Sequence, residues 1–488
     1  MESQKRRNDP VLIFGIAIII LIVASYIPGN IEILGYKIKP VDLFMDVKPD
    51  SLLIYGSNLP TKVPEIKKNE SEVNENVKYS ASVSMELFGK LFDKIDSKNN
   101  EIKNSSESNN VELGNVITRD VPVTGNTSQL SYFYNSLRSA STQKIRVAHY
   151  GDSEIEGDII TADIRDNLQN RFGGKGVGML SITSQDIAFR TTTKHTFSSN
   201  WKQTNVLSGY LGTGNPSKLP IGMSGFMATP EGVSWVRYET TGRFQNIKSF
   251  NMVRVFYTNA KASSIKYSFN NKAEQTATLQ PGSGVKELTL SYPSGAQSIK
   301  ITTTMAGQAD FYGVSLEDGN GIYIDNFPWR GNTGISFRDL DVGALKIFDR
   351  ICNYKLIIIN FGGNQVSSGE SNYEWFESQM IKIINNLKQT FPQTSFLLVS
   401  VGDKSKKVGT RLMTDPLVLR LVESQQRIAN TTGIAFWNLF EAMGGQNSMV
   451  DWVNANPPLA IKDYTHINLQ GAKKIADMLT KSLLAGYK

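Results

Sequence analysis

Ile145-Arg146-Val147-Ala148-His149-Tyr150-Gly151-Asp152-Ser153 sets the fold class of this chain. An apolar-rich run ends in a glycine turn, and Ile160, Ile164, Leu168 and Phe172 then recur every four residues up to Gly173-Gly174. The spacing predicts a strand, a tight turn and an amphipathic helix closed by glycine. Lys355-Leu356-Ile357-Ile358-Ile359-Asn360 is apolar on both faces, as buried parallel strands are. Residues 395–401 and 434–439 repeat that character, with helical patterns over 417–428 and 472–484 and another over 130–137 ahead of the first strand. This alternation predicts an α/β fold, a doubly wound parallel sheet with helices on both faces.

Ligands of such sheets gather at the carboxyl ends of the strands, where Ser153 and the Gly362-Gly363-Asn364 segment both fall. A serine needs a base and an oxyanion site before it becomes a nucleophile. Asp463-Tyr464-Thr465-His466 places an acid three residues before one of only three histidines in the chain. Each motif alone is also an ordinary turn or helix cap. At opposite ends of one α/β pattern they suggest acyl transfer.

These residues resemble the motif blocks of SGNH (GDSL-type) hydrolases. Gly151-Asp152-Ser153 is similar to the nucleophile block, Gly362-Gly363-Asn364 to the oxyanion asparagine block, and Asp463 to His466 to the terminal Asp-x-x-His block. Residues 322–327 look like the second strand of that fold, which brings the parallel strands to five. Gly334 in the following loop fits the oxyanion glycine, with Gly331 as the fallback. The resemblance implies Ser153, His466 and Asp463 as catalytic residues and an oxyanion hole from the N–H groups of Ser153 and Gly334 with the Asn364 amide. Gln365 stands where the family often has an acid.

Between 183 and 310 the text changes to short alternating runs separated by Asn, Gly and Pro turns, the pattern of an inserted antiparallel β-sandwich. The hydrolase domain is then 127–182 together with 311–488. An SGNH domain interrupted in this way resembles the bacterial peptidoglycan O-acetylesterases, whose insert is similar to a carbohydrate-binding module. Trp201, Trp235, Tyr238 and Tyr257 are either sugar-facing or sandwich core, with core the better reading for the last three. The insert has its own strand pattern, so the α/β sheet is expected to form without it.

The N-terminal part has a different composition. Residues 1–10 carry Lys5-Arg6-Arg7, and 11–28 hold an apolar run from Val11 to Ile27, at the short end for a transmembrane helix. A signal anchor with a cytoplasmic N-terminus is favoured over a cleaved signal peptide; either exports the catalytic region. Residues 29–126 are mostly polar and read as a tether, with Met85, Phe88, Leu91, Phe92 and Ile95 marking a short helix near 83–97.

The chain has 488 residues and a net charge of +7, but no basic stripe interleaved with aromatics, so a nucleic-acid partner is not expected. The single Cys352 excludes an intrachain disulfide and reads as a small buried hydrophobe. With histidines scattered at 149, 195 and 466, no metal-ligand cluster and no cofactor are expected. Asp152 reads as a turn former, His149 as a core histidine and His195 as a surface residue of the insert. Glu154 and Glu156 read as carboxylates of a helix's first turn, with a substrate role the lesser alternative. Trp329 and Arg330 are placed at the pocket mouth. The expected function is an exported serine esterase acting on an O-acetylated glycan. An O-acetyltransferase using the same residues and a non-catalytic glycan-binding protein stay open.

Overall fold

Five of the apolar runs pair in parallel. The strands lie in the order Gly321–Pro328, Lys144–Gly151, Tyr354–Asn360, Ser395–Val399 and Ala435–Trp437. That is 2-1-3-4-5 in chain order, with the reversal beside the strand that leads to Ser153. A sixth, two-residue strand, Thr124–Gly125, adds antiparallel to the last. The computed structural model describes residues 32–33, 36–37, 116–206 and 221–488.

Period-2 alternation divides the sheet between two helical layers. Ile145, Val147, Leu356, Ile358, Leu397 and Val399 pack on one face with helices Ser131–Leu137, Thr161–Phe172 and Leu469–Leu484. Tyr150, Ile357, Ile359, Phe396 and Leu398 pack on the other with Val342–Cys352, Glu374–Thr390 and Pro416–Thr432. Cys352 is buried in that second layer.

The insert is a sandwich of two antiparallel sheets. Its strands run from Lys175–Leu180 to Asp310–Asp318, wider on both sides than the expected 183–310. The first of these strands escapes periodicity because Gly176 and Gly178 have φ of +102° and +77°, and a side chain at either would collide with Leu316 or Asp325.

The sandwich is bound to the sheet by buried charge. Arg146 donates to both carboxyl oxygens of Asp325 (2.7 and 2.8 Å), to Glu317 Oε1 (2.7 Å) and to Ser315 Oγ (2.6 Å). Lys144 and Arg254 also reach Glu317, and Tyr354 donates to Asp325. Glu317 and Arg254 lie on sandwich strands, Arg146 and Asp325 on the parallel sheet. This network argues against an insert that packs independently of the sheet.

Tyr238 and Tyr257 are sandwich core, whereas Trp201 and Trp235 are half-buried at its margin. His195 corrects the surface expectation: it is buried, stacks on Tyr238 and bonds Ile182 O through Nε2 (3.0 Å). The tether also ends earlier than 126. Val116, Val121 and Val123 pack against the core, and the Trp437 indole donates to Val121 O.

The chain divides into two units, Met1–Asn109 and Asn110–Lys488. In the first, the described residues are the antiparallel pair Glu32–Ile33 and Tyr36–Lys37. The expected membrane segment 11–28 and the helix near 83–97 lie outside the described residues. Among the described residues no helix is long and apolar enough to cross a membrane.

Candidate active site

Strand Lys144–Gly151 delivers Ser153 to the first position of a short 3-10 segment, Ser153–Asp158, kinked at Glu156 and Gly157 and capped at its start by the Asp152 carboxylate. The N–H groups of a first helical turn have no intrahelical partner, so that of Ser153 is placed to serve an anion. The loop from Asp463 to His466 approaches from the far end of the chain. Tyr464 sits there at φ +57°, an uncommon conformation for a residue with a Cβ, and the turn brings Asp463 and His466 to one side.

The three residues form one hydrogen-bonded chain. Ser153 Oγ lies 3.0 Å from His466 Nε2, and His466 Nδ1 lies 2.6 Å from Asp463 Oδ2. Asp463 Oδ1 accepts the backbone N–H groups of Thr465 (2.9 Å) and His466 (3.0 Å). The hydrogen bond to Asp463 raises the His466 pKa above its ordinary value, and burial only partly opposes it. Burial pulls the Asp463 carboxyl upward, but its bonds with His466 outweigh this and hold it low. The imidazole is therefore held with Nε2 facing the serine, the arrangement a general base needs.

Asp152 does more than shape a turn. Its buried carboxylate accepts Glu154 N (3.0 Å) through Oδ1, and Gly362 N (3.2 Å) and Gly363 N (3.1 Å) through Oδ2. It joins the nucleophile turn to the loop of Asn364, a partner some 210 positions away. An Asp at an N-cap hints at one of these bonds and not at the others.

Asn364 and Gly334 both meet Asn332. Asn364 Nδ2 donates to Asn332 O (3.2 Å), and Gly334 N donates to Asn332 Oδ1 (2.8 Å). The expected oxyanion glycine thus has its N–H engaged. Gly331, the fallback, has φ +76° and no atom near the position of a Cβ. Gln365 turns to Glu370, donating at 2.9 Å.

The remaining candidates separate. Trp329 leaves the pocket mouth for the core, where its indole donates to Ser224 O (2.9 Å). Arg330 stays exposed and pairs with Glu156 at 2.7 Å, so Glu156 is a buried ion-pair partner rather than a free surface carboxylate. Both line a cavity between the nucleophile loop and the sandwich, with Asp186, Arg190, Asn326 and Phe327. Burial and the neighbouring Asp152 push the half-buried Glu154 up to about 8. His149 is a core histidine, lowered to about 4 by burial and bonded to Thr161 Oγ1 at 2.9 Å.

A peptidoglycan O-acetylesterase structure superposes with a TM-score of 0.61 at 20% identity, covering 74% of this chain and 98% of that chain. The chain has the SGNH-hydrolase fold. Slighter likenesses extend to two further structures. One is a family two carbohydrate esterase from Cellvibrio japonicus (9% identity, 60% of this chain, 98% of that chain, TM-score 0.25). The other is the family 32 CBM from C. perfringens NanJ in complex with galactose (16%, 25%, 93%, 0.16). No protein-family profile and no curated protein matches the chain. Ser153 and Asn364 follow the carboxyl ends of their strands, and the Asp463–His466 loop, which precedes helix Leu469–Leu484, meets them there.

Proposed function

We propose that this protein is a serine esterase that removes O-acetyl groups from a glycan. The observation that carries the reading is the continuous bond chain Ser153–His466–Asp463, at 3.0 and 2.6 Å. His466 takes the Ser153 proton as Oγ attacks the ester carbonyl. Asp463 stabilises the imidazolium that forms, and the Ser153 N–H and the Asn364 amide stabilise the oxyanion. Collapse of the tetrahedral intermediate expels the glycan hydroxyl, which takes its proton from His466, and water then resolves the acetyl-enzyme.

A glycan is the substrate class suggested by the esterase whose structure superposes on this chain. The acetylated peptidoglycan processed by the fold's structural neighbour is the first substrate to try. The apolar stretch from Val11 to Ile27 supports an exported enzyme held at the membrane.

The test is incubation of the purified protein with acetylated peptidoglycan and other acetylated glycans, measuring free acetate and acetylated sugar acceptor separately. Release of acetate, abolished in Ser153→Ala, is the expected result. Acetyl appearing on an acceptor sugar instead makes the protein a transferase. No turnover of any ester removes the enzymatic reading.

A further inference from the structure

Asn332 lies in the loop that follows strand Gly321–Pro328 and is buried. Its backbone N–H closes a turn onto Trp329 O (2.9 Å). Its side chain is used at both ends: Oδ1 accepts Gly334 N (2.8 Å), and Nδ2 donates to Ser336 Oγ (2.7 Å). A backbone N–H requires an acceptor, so the Gly334 bond fixes which end of this amide is oxygen. The backbone carbonyl of Asn332 accepts Asn364 Nδ2 at 3.2 Å. Asn364 is thus fastened from two sides, by Asn332 on one loop and by Asp152 through Gly362 and Gly363 on the other.

We propose that Asn332 is a positioning residue of the oxyanion site, whose side chain fixes the 332–336 turn so that its backbone carbonyl aims the Asn364 amide. The inference rests on the reading of Ser153 and Asn364 as acyl-transfer residues. An amide nitrogen carries two hydrogens. A carbonyl that binds one of them sets the amide's rotation and leaves the other for the developing oxyanion. The Gly334 N–H is occupied by Asn332 Oδ1 and does not serve the hole, which leaves the second Asn364 hydrogen beside the Ser153 N–H and the fallback glycine, Gly331. The aim of Asn364 matters because a misdirected donor contributes little in the transition state.

The experiment uses the full chain, a soluble acetyl ester and the variants Asn332→Ala, Asn332→Ser, Asn364→Ala and the double alanine. A serine hydroxyl accepts the N–H two residues on, as the asparagine does, and so tests rescue. Removing an oxyanion donor outright costs about 100- to 1000-fold in kcat. Misaiming one is a part of that, so Asn332→Ala is expected to lower kcat on the order of 10- to 30-fold, with KM within about twofold. Asn332→Ser is expected to recover most of the loss. In the Asn364→Ala background, Asn332→Ala is expected to cost less than about twofold more, because the two residues act as one unit.

An unchanged or higher kcat in Asn332→Ala overturns the proposal; a rise means the side chain blocks the Gly334 N–H. A full multiplicative loss in the double variant also overturns it, since the effect is then general loosening of the loop. If Asn332→Ala does not fold, Ser336→Ala, which removes the acceptor of Asn332 Nδ2 and should lower kcat in the same way, takes its place in the cycle with Asn364→Ala. Ser153→Ala is measured alongside. Wild-type turnover in that variant sinks the acyl-transfer reading itself, whereas a dead Ser153→Ala with unaltered Asn332→Ala sinks this proposal alone.

Discussion

Asp463→Asn should be more harmful than Asp463→Ala, and the geometry gives the reason. Asp463 Oδ1 accepts two backbone N–H groups and Oδ2 accepts one imidazole N–H. An asparagine has one oxygen to offer, and the two backbone donors claim it. Its NH2 group then faces His466 Nδ1, which must become the acceptor. The proton moves to Nε2, pointing at Ser153 Oγ, and the ring cannot take the serine proton. Alanine imposes no tautomer, and water can replace the lost acceptor because the Asp463 side chain is 39% exposed. In a buried triad this tautomer error costs about 10,000-fold. With Asp463 and His466 both partly open to water, we expect on the order of 100- to 1000-fold in kcat, about 3–4 kcal/mol. Asp463→Ala should retain roughly tenfold more activity than Asp463→Asn, by the same tautomer argument. The assay is kcat and KM on an acetyl ester with a poor leaving group, across pH. His466 must be neutral to act, and Asp463 raises its pKa. Losing the carboxylate should therefore shift the acid limb of the profile to lower pH. Asparagine outperforming alanine near pH 8, or an acid limb that does not move, refutes the reasoning.

Arg146→Met leaves Glu317 and Asp325 buried without their principal partner and should destabilise the fold by about 3–5 kcal/mol in urea titrations at pH 7. Burial pulls the Glu317 carboxyl up, but Arg146, Arg254 and Lys144 outweigh it and hold it well below the ordinary range. Its stabilisation is present above about pH 4.5 and is lost as pH falls, so the variant's deficit should narrow in acid; a deficit constant with pH refutes this origin. Asp152→Ala strips the acceptor from three backbone N–H groups and should cost about 2–4 kcal/mol in thermal unfolding. It should also lower kcat at least tenfold, by loosening the Asn364 loop; unaltered kcat shows that the tie is not needed. Glu154, at about 8, carries its proton at pH 7. Glu154→Gln should leave kcat/KM there within about twofold and remove an inflection near pH 8 from the wild-type profile; persistence of that inflection assigns it to another group.

The strands around Ser153 and Asn364 were legible because burial on both faces writes a continuous apolar run, and helices against them write a period near four. His466 and Asp463 were legible because their chemistry constrains both residue type and spacing. Lys175–Leu180 was not legible: it pairs where backbone meets backbone at Gly176 and Gly178, and no side-chain alternation records that. His195 was misread because its strand, Thr193–Phe197, alternates among polar residues, and only the stacked Tyr238 shows which of them faces inward.

By itself the sequence determined the doubly wound sheet, the inserted sandwich and the residues able to form a nucleophile, base and acid. These depend on local periodicity and on residue type, which a linear text carries. Tertiary structure alone decided how those residues are held. The Asp152 tie to Gly362 and Gly363 spans some 210 positions, the Arg146–Glu317 pair 171, and the Asn364 bond to Asn332 32. It also decided that the Gly334 N–H is engaged, by a neighbour only two residues away. Hydrogen-bond partners are chosen by geometry at contact distance, and each donor or acceptor has many possible partners until the chain has closed around it.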